Sequence, residues 1–526
     1  MRSTMTPHAF LPTVGLLLCI ATHAQNIPPS VDITAVELDQ GAQTVTITYT
    51  LIDAEQDECE VLLTASSDGG ASYLINTMGA TGDIGPGVAP SAGLSITWNY
   101  GSIDPEGVYI RVMAEDGHVP DIQAMVDALQ ADRLMQRLAH VAIPRHHVSA
   151  PDGITAIRDT IMLAFGAAGM QTSQQAVTFQ SNTVPNVIGR LPGLVDETRT
   201  FIVDGHYDAV TNTAGADDNA TAVAATLEIA RILSGYRFRN SIRFIGFSFE
   251  EQGLIGAQTY VQSGIPVWEQ IAGVLNMEMI GYYSEDPGSQ QLPAGFEFLF
   301  PAAVAQIEAN EFRGDFLTVV GNTASQPLID AYMAATAAYV PELSAIPLAV
   351  PGNGQIAPDL RRSDHAVFWD TGRPALMLTD GSNFRNANYH TPNDTPSTID
   401  TLFFLRSAQA TLATLATLAE PINSGFDSYL LGDLVGVHAH EHPRACAATA
   451  RQDRQADLLR VDLGVCSAQG ITASLFDARG VRVAGRTFRP ADGVHDLPLN
   501  GLRAGMYLLV LEDGEQHQTL KVDVVR

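Results

Sequence analysis

His206 and Asp208 in "GHYDAV", Asp217 and Asp218 in "GADDNAT", Glu250 and Glu251 in "FSFEEQG", Glu278 in "NMEMIGYY", and Tyr389 and His390 in "NYHTPNDT" concentrate imidazoles, carboxylates and a phenol in a few short stretches. Each stretch alone reads blandly. A lone histidine is more often structural than a ligand, adjacent aspartates cap helices or make turns, and a glutamate pair is ordinarily a solvated corner. Their joint placement argues otherwise. The apolar runs "TFIVDG", "SIRFIGFSF", "VLNM" and "PALMLTDG" read as buried strands, and the polar groups follow where those runs stop. Reactive groups of open α/β sheets gather beyond the carboxyl ends of the strands, so separate segments would deliver His, Asp and Glu to one edge. Imidazole and carboxylate are ligands that suit zinc, and two ions sharing a site need a carboxylate between them. A metal-activated water needs one more carboxylate, free of metal, to take its proton. Five ligands and one base are the inventory of this edge.

The elements that must position these groups are legible from periodicity. From about Pro120, helical spacing in "DIQAMVDALQADRLMQRLAHV" and "ITAIRDTIMLAFGAAG" precedes an alternation of short apolar strands with helices, closed by "TLFFLRSAQATLATLATLAE". This predicts an α/β domain over 121–420, with a mixed, mostly parallel central sheet covered by helices. Residues 29–118 alternate apolar and polar positions, as in "VTITYTL" and "VYIRVMAEDG", with Gly/Pro/Asp-rich breaks, and predict a small β-sandwich. Residues 421–445 read as a linker containing "HAHEHPRA", in which His438, His440 and His442 are taken as solvated. Residues 446–526 return to short, Gly-punctuated strands, a second small sandwich.

Twenty-nine basic against 58 acidic residues leave a formal charge of −29, which repels a nucleic-acid backbone and excludes that partner class. The N-terminus carries one basic residue, Arg2, a short apolar core, and Thr22-His23-Ala24 before Gln25, which predicts a signal peptide over 1–24 and a secreted or cell-surface protein. Beyond it no segment reads as a transmembrane helix. Removing Cys19 with the leader leaves Cys59, Cys446 and Cys466, an odd number in which Cys446 and Cys466 are a possible pair.

In the same order along the chain, "GHYDAV", "GADDNAT", "FSFEEQGLIGAQTY", "NMEMIGYY", "RRSDHAVFW" and "NYHTPNDT" resemble the secreted di-zinc aminopeptidases, a family that also includes glutamate carboxypeptidase II, glutaminyl cyclases and the metal-free transferrin receptor. The resemblance spans roughly 121–420 and implies two co-catalytic zinc ions and a peptide substrate. It implies His206 and Glu278 on one zinc, Glu251 and His390 on the other, and Asp218 bridging. Asp208 would orient the His206 imidazole, and Glu250 would be the general base. Tyr389 would stabilise an oxyanion and Arg362 would contact substrate, whereas His365 reads as structural. Asp217 stays outside this set. Many members carry Asp where this chain has Glu278, and the added methylene bears on specificity more than on metal binding.

An N-terminal module such as 29–118 resembles the immunoglobulin-like domains that precede secreted bacterial enzymes. The C-terminal "LNGLRAGMYLLVLEDG" and "LKVDVV" look like the sorting domain of type IX secretion substrates, which implies secretion machinery as a partner. The expected activity is aminopeptidase. A carboxypeptidase or dipeptidase on the same scaffold is the enzymatic alternative, and a non-catalytic binding protein of the same fold is the other; the intact "GADDNAT" and "EEQGLIG" argue against a glutaminyl cyclase.

Overall fold

The structure is a computed structural model that describes residues 26–431 and, further on, 449–453, 458–462, 471–477, 482–488, 494–499, 502, 505–512 and 517–524. The expected signal peptide, His438, His440, His442, Cys446 and Cys466 lie outside the described residues. Cys59 is a buried free thiol, and burial followed by the Asp53 charge pushes it up to about 12, so it is inert at neutral pH.

An eight-stranded sheet organises the middle of the chain. Its strand order is Ala345–Val350, Leu317–Asn322, Ala375–Thr379, Gln270–Met277, Asp196–His206, Asn240–Phe247, Asn186–Leu191 and Gln171–Gln175. The four central strands, from Ala375–Thr379 to Asn240–Phe247, are mutually parallel, and on each side the next strand, Leu317–Asn322 or Asn186–Leu191, runs antiparallel to them. The central strands are buried along nearly their whole length, which explains their continuous apolar runs. One face packs on the helices Ala131–Val141, Pro151–Ala167, Thr221–Leu233, Gln326–Tyr339 and Thr401–Ala419. The other packs on Ile255–Ser263, Pro301–Ala309 and His365–Asp370.

Helix Thr401–Ala419 is capped by the Asp400 carboxylate, which accepts from the amides of Leu402 and Phe403. By length and composition it could cross a membrane, contrary to the sequence expectation that no segment beyond the N-terminus could. Two-thirds of that stretch, 67%, is buried in the fold, so its apolar character serves the core.

Residues 421–422 and 424–430 belong to strands, although the sequence places a linker over 421–445. Pro421–Ile422 pairs with Arg237–Phe238, and Ser424–Leu430 pairs antiparallel with Tyr109–Glu115 in full register. The N-terminal sandwich is thus completed by chain that has already traversed the α/β domain. Its sheets are Ser30–Asp39, Thr44–Ile52, Ser91–Asn99, Thr81–Gly82 and Ser424–Leu430, Tyr109–Glu115, Cys59–Ser66, Gly85–Val88. Trp98, Tyr49, Ile47, Ile96, Ile110 and Val112 fill the space between them. The sequence does not mark this late strand, because "SGFDSYL" alternates weakly and its pairing partner lies over three hundred positions away. The C-terminal strands form a three-stranded and a four-stranded sheet around Leu459, Val461, Leu475, Leu497 and Leu509.

A chain ending at Glu420 would lose the strand that lies beside Tyr109–Glu115, whereas one ending at Leu431 would keep it. Calorimetry of the two should show a lowered or missing sandwich transition only in the shorter chain.

Candidate metal centre

Backbone geometry at the strand ends begins the site. His206 closes the strand Asp196–His206, and Gly205 beside it has no room for a side chain, since a Cβ there would lie 2.4 Å from Ala222 Cβ. Helix Thr221–Leu233, almost wholly buried, can therefore press against the sheet, and the alanines of "TAVAAT" are the reason it fits. Between strand and helix the chain makes the loop that carries Asp217 and Asp218, with a cis peptide joining Asp218 to Asn219.

After strand Asn240–Phe247 the chain turns sharply, with Phe249 in the left-handed region at φ 55°, and presents Glu250 and Glu251. Their amides donate to the two oxygens of one carboxylate: Glu250 N to Asp208 Oδ1 at 3.1 Å and Glu251 N to Asp208 Oδ2 at 3.2 Å. Asp208 therefore anchors the Glu250–Glu251 corner. Its relation to His206 is less direct than the sequence implied. His206 Nδ1 lies 3.2 Å from the main-chain oxygen of Asp208, and the carboxylate, at 3.6 Å, contributes charge without a hydrogen bond.

Glu278 follows strand Gln270–Met277, and its Oε2 accepts from Ser363 Oγ at 2.8 Å and Asn219 Nδ2 at 3.3 Å. These two donors fix the longer glutamate arm. His390 comes from the segment after strand Ala375–Thr379, its side chain 35% exposed, with the Tyr389 ring stacked on it at 3.7 Å between centroids.

The side chains meet in two abutting groups, His206 with Asp218 and Glu278, and Asp218 with Glu251 and His390, each with its candidate ligand atoms within 4.8 Å of one another. Asp218 belongs to both. Its Oδ1 lies 3.3 Å from His206 Nε2, and its Oδ2 lies 3.0 Å from His390 Nε2. Glu251 Oε2 is 3.3 Å from His390 Nε2, Glu278 Oε2 is 3.5 Å from His206 Nε2, and Glu250 Oε2 is 3.8 Å from the same nitrogen. All five expected ligands and the expected base are brought together.

So many acids in a buried space perturb one another. Burial, then the charges of Glu278 and Glu251, hold the Glu250 carboxyl well above the usual range, with His206 opposing. Burial and the Asp218 charge push Glu251 up to about 7. Burial favours neutral His390, but Asp218 and Glu251 overcome it and raise the imidazole to about 10. The same contest, won by Glu250 and Glu278, lifts His206. This is an electrostatic demand for positive charge.

Several contributors have a role that the sequence does not assign. Asp394, inside "NYHTPNDT", accepts the amides of Asp217 at 2.8 Å and Asp218 at 3.1 Å. Asp217, set aside at the sequence level, is fully buried and receives Gly281 N and Asn386 Nδ2, which ties the loop to neighbouring segments. Ser363 and Asn219 are small polar residues whose role depends on contacts from elsewhere in the chain. His365 stands apart: buried, its Nε2 2.9 Å from the Leu360 carbonyl and its ring edge-on to Trp369.

Tyr389 and Arg362 meet at the rim. Arg362 Nη2 donates to Tyr389 Oη at 2.9 Å and Nη1 to Asn383 Oδ1 at 2.7 Å. Burial, then the nearby Asp218, raise the Tyr389 phenol, so it stays protonated. Because guanidinium only donates, the phenol proton is free for another acceptor. Beside this rim opens a pocket, partly open to solvent, which Glu278, Arg362 and Tyr389 also line. Its apolar wall includes Leu292, Phe296, Ile307, Phe316, Leu348 and Met377.

Residues 186–415 match the family model described as Peptidase family M28. The uncharacterized protein YfbL of Escherichia coli strain K12 is 29% identical over 53% of this chain and 84% of its own length. A probable zinc metalloprotease of Pyrenophora tritici-repentis is 26% identical over 59% of this chain and 72% of its own. Among solved structures, the LapA aminopeptidase of Legionella pneumophila aligns with a TM-score of 0.44 and 18% identity, covering 57% of this chain and 74% of that one.

Because both Asp208 oxygens accept main-chain amides, Asp208→Asn turns one acceptor into a donor facing an N–H. The variant should lose about 1–3 kcal/mol of stability, read by thermal unfolding.

Proposed function

We infer from the match of residues 186–415 to the model of Peptidase family M28, together with the site, that this chain is a zinc-dependent exopeptidase removing N-terminal residues, preferably with large apolar side chains, from peptides. The observation that carries this reading is the pair of ligand groups sharing Asp218, with Glu250 beside them and bonded to neither histidine. The residues present fit a metal. His206 Nε2 and Glu251 Oε1 are buried polar atoms without a hydrogen-bond partner, and the donor set is the nitrogen and oxygen combination that zinc accepts. His206, Glu278 and Asp218 would hold one ion, and Glu251, His390 and Asp218 the other. Bound there, the ions would acidify a water and polarise the scissile carbonyl.

The chain's own groups supply the remaining chemistry. Glu250 takes the proton of the attacking water and returns it to the leaving amine. Tyr389, its hydroxyl already accepting from Arg362, points its proton at the charge developing on the carbonyl oxygen. The surrounding carboxylates favour a substrate carrying a free ammonium group. The apolar cavity favours a large hydrocarbon side chain next to it.

A carboxypeptidase or dipeptidase reading rests on Arg362 as receptor for a terminal carboxylate. Its terminal nitrogens bond Tyr389 and Asn383 and keep one N–H each, but the neighbouring carboxylates repel a terminal carboxylate and attract an ammonium, which supports the aminopeptidase reading instead. A non-catalytic binding role would be supported by missing ligands, and every ligand position is filled. Export through residues 1–24 and recognition of the C-terminal β unit by secretion machinery belong to the same proposal and rest on sequence pattern. The N-terminal sequence of protein recovered from the medium tests the export step: Gln25 is expected, and an intact Met1 argues against it.

Glu250→Gln should keep two zinc ions per chain and lose roughly 10²–10⁴-fold in kcat. Glu251→Gln should instead bind zinc more weakly. Metal content and turnover measured on one preparation decide this, and identical behaviour of the two variants would sink the division of roles. Leucyl or phenylalanyl chromogenic substrates should exceed the alanyl one in kcat/KM by about 10- to 100-fold, as burial of the extra carbons dictates. N-acetylated versions should be inert; cleavage of blocked peptides would favour the carboxypeptidase alternative.

A further inference from the structure

Arg145 lies in "PRHHVSAP", between helices Ala131–Val141 and Pro151–Ala167 and outside the family match. Its side chain is 0% exposed, among the largest fully buried in the molecule. A buried guanidinium ordinarily seeks a carboxylate, yet Arg145 forms no ion pair among the described residues. It donates instead to main-chain oxygens: Nη1 to Ala214 and to Ile143 (3.1 Å), and Nη2 to Gly215 at 2.7 Å and Asp218 at 3.4 Å. Asp218, Asp394, Asp208 and Glu251 all act on it through their charges.

We propose that Arg145 is a positioning residue for the metal centre, one that aims the Asp218 carboxylate by holding the main chain of the 214–218 loop while leaving both carboxylate oxygens unclaimed. The inference rests on the two-metal reading of the site. Asp218 is gripped at both ends of its own backbone, its amide by Asp394 Oδ2 at 3.1 Å and its carbonyl by Arg145. With both peptide groups fixed, the direction of Cβ follows, and with it the reach of Oδ1 toward His206 and Oδ2 toward His390. An arginine that ion-paired with Asp218 would consume the oxygens a bridging ligand needs. One bound to carbonyls supplies the same offsetting charge and leaves them free.

The surroundings are shaped to this contact. Gly215 sits in the left-handed region at φ 54°, and a Cβ there would lie 2.3 Å from Asp218 O and 3.0 Å from Arg145 Nη2. Gly153 lets the first turn of helix Pro151–Ala167 close on the Arg145 segment, since its Cβ would meet the Pro144 carbonyl at 1.9 Å. A flat, five-donor guanidinium can serve several carbonyls together, which an ammonium cannot.

Chelator competition on purified, zinc-loaded protein tests this, with circular dichroism to establish folding. Arg145→Met should bind zinc roughly 10- to 100-fold more weakly than wild type, the effect of losing a group that orients a ligand, and Arg145→Lys should fall between the two. Arg243→Met is the control. Arg243 is also buried but is paired with Glu269, so its loss should lower Tm and leave zinc affinity unchanged. Wild-type zinc affinity in folded Arg145→Met overturns the proposal, as does an equal loss in Arg243→Met. Should Arg145→Met fail to fold, Arg145→Lys decides by the same measurement, and wild-type affinity there is the refuting result. A wild-type protein that takes up no zinc overturns the metalloenzyme reading and this inference together, whereas unaltered affinity in the variants overturns the inference alone.

Discussion

Five carboxylates, Asp208, Asp218, Glu250, Glu251 and Glu278, converge in one buried space, and tolerating that convergence is the constraint on which the rest of the structure depends. Two like charges 4 Å apart repel by about 4 kcal/mol at the effective dielectric of a protein interior, before the cost of removing each from water. The fold answers with fixed positive dipoles and charges. Asp208 and Asp394 each receive two main-chain amides, Glu278 receives a hydroxyl and an amide, and Asp218 lies between two imidazoles. Arg145 adds a full charge from behind. His206 Nε2 and Glu251 Oε1 are among the buried polar atoms left without a hydrogen-bond partner, and both belong to the residues that would hold a metal.

Holding this arrangement needs a rigid support, and the parallel core of the sheet is one. His206, the Glu250–Glu251 pair and Glu278 follow the ends of three adjacent parallel strands, so their main-chain origins are set by ladder hydrogen bonds. Gly205 against Ala222 brings the helix after the Asp218 loop close to the sheet, and the loop is then short enough to be pinned by Asp394 and Arg145. The sandwich is tied to the same body by its last strand, by Arg239 with Glu115, and by Tyr73 N donating to Glu197 Oε2 at 2.8 Å.

The acidic centre and the apolar cavity are adjacent and share Glu278, Arg362 and Tyr389 along their boundary. Groups that attract charge and groups that attract hydrocarbon thereby meet along one boundary, as the exopeptidase reading requires for an N-terminal residue's amino group and its own side chain.

The local sequence by itself determined the four central strands of the α/β domain, several of its helices and the residues at the strand ends. Both follow from short-range rules: a strand buried on both faces must be continuously apolar, and a polar group after it marks the edge. "SIRFIGFSF" with Glu250 and Glu251 is such a case, and so is "VLNM" with Glu278. Tertiary structure decided what depends on partners distant in the chain. Whether Asp208 held His206 or the Glu250–Glu251 corner, whether Asp217 and Asp394 mattered, and where Ser424–Leu430 belonged could not be read locally. A carboxylate's role is set by which donors reach it, and an edge strand's by which neighbour it pairs with. Arg145 shows this most plainly, since its partners are carbonyl oxygens, and those are present at every residue and leave no mark on the sequence.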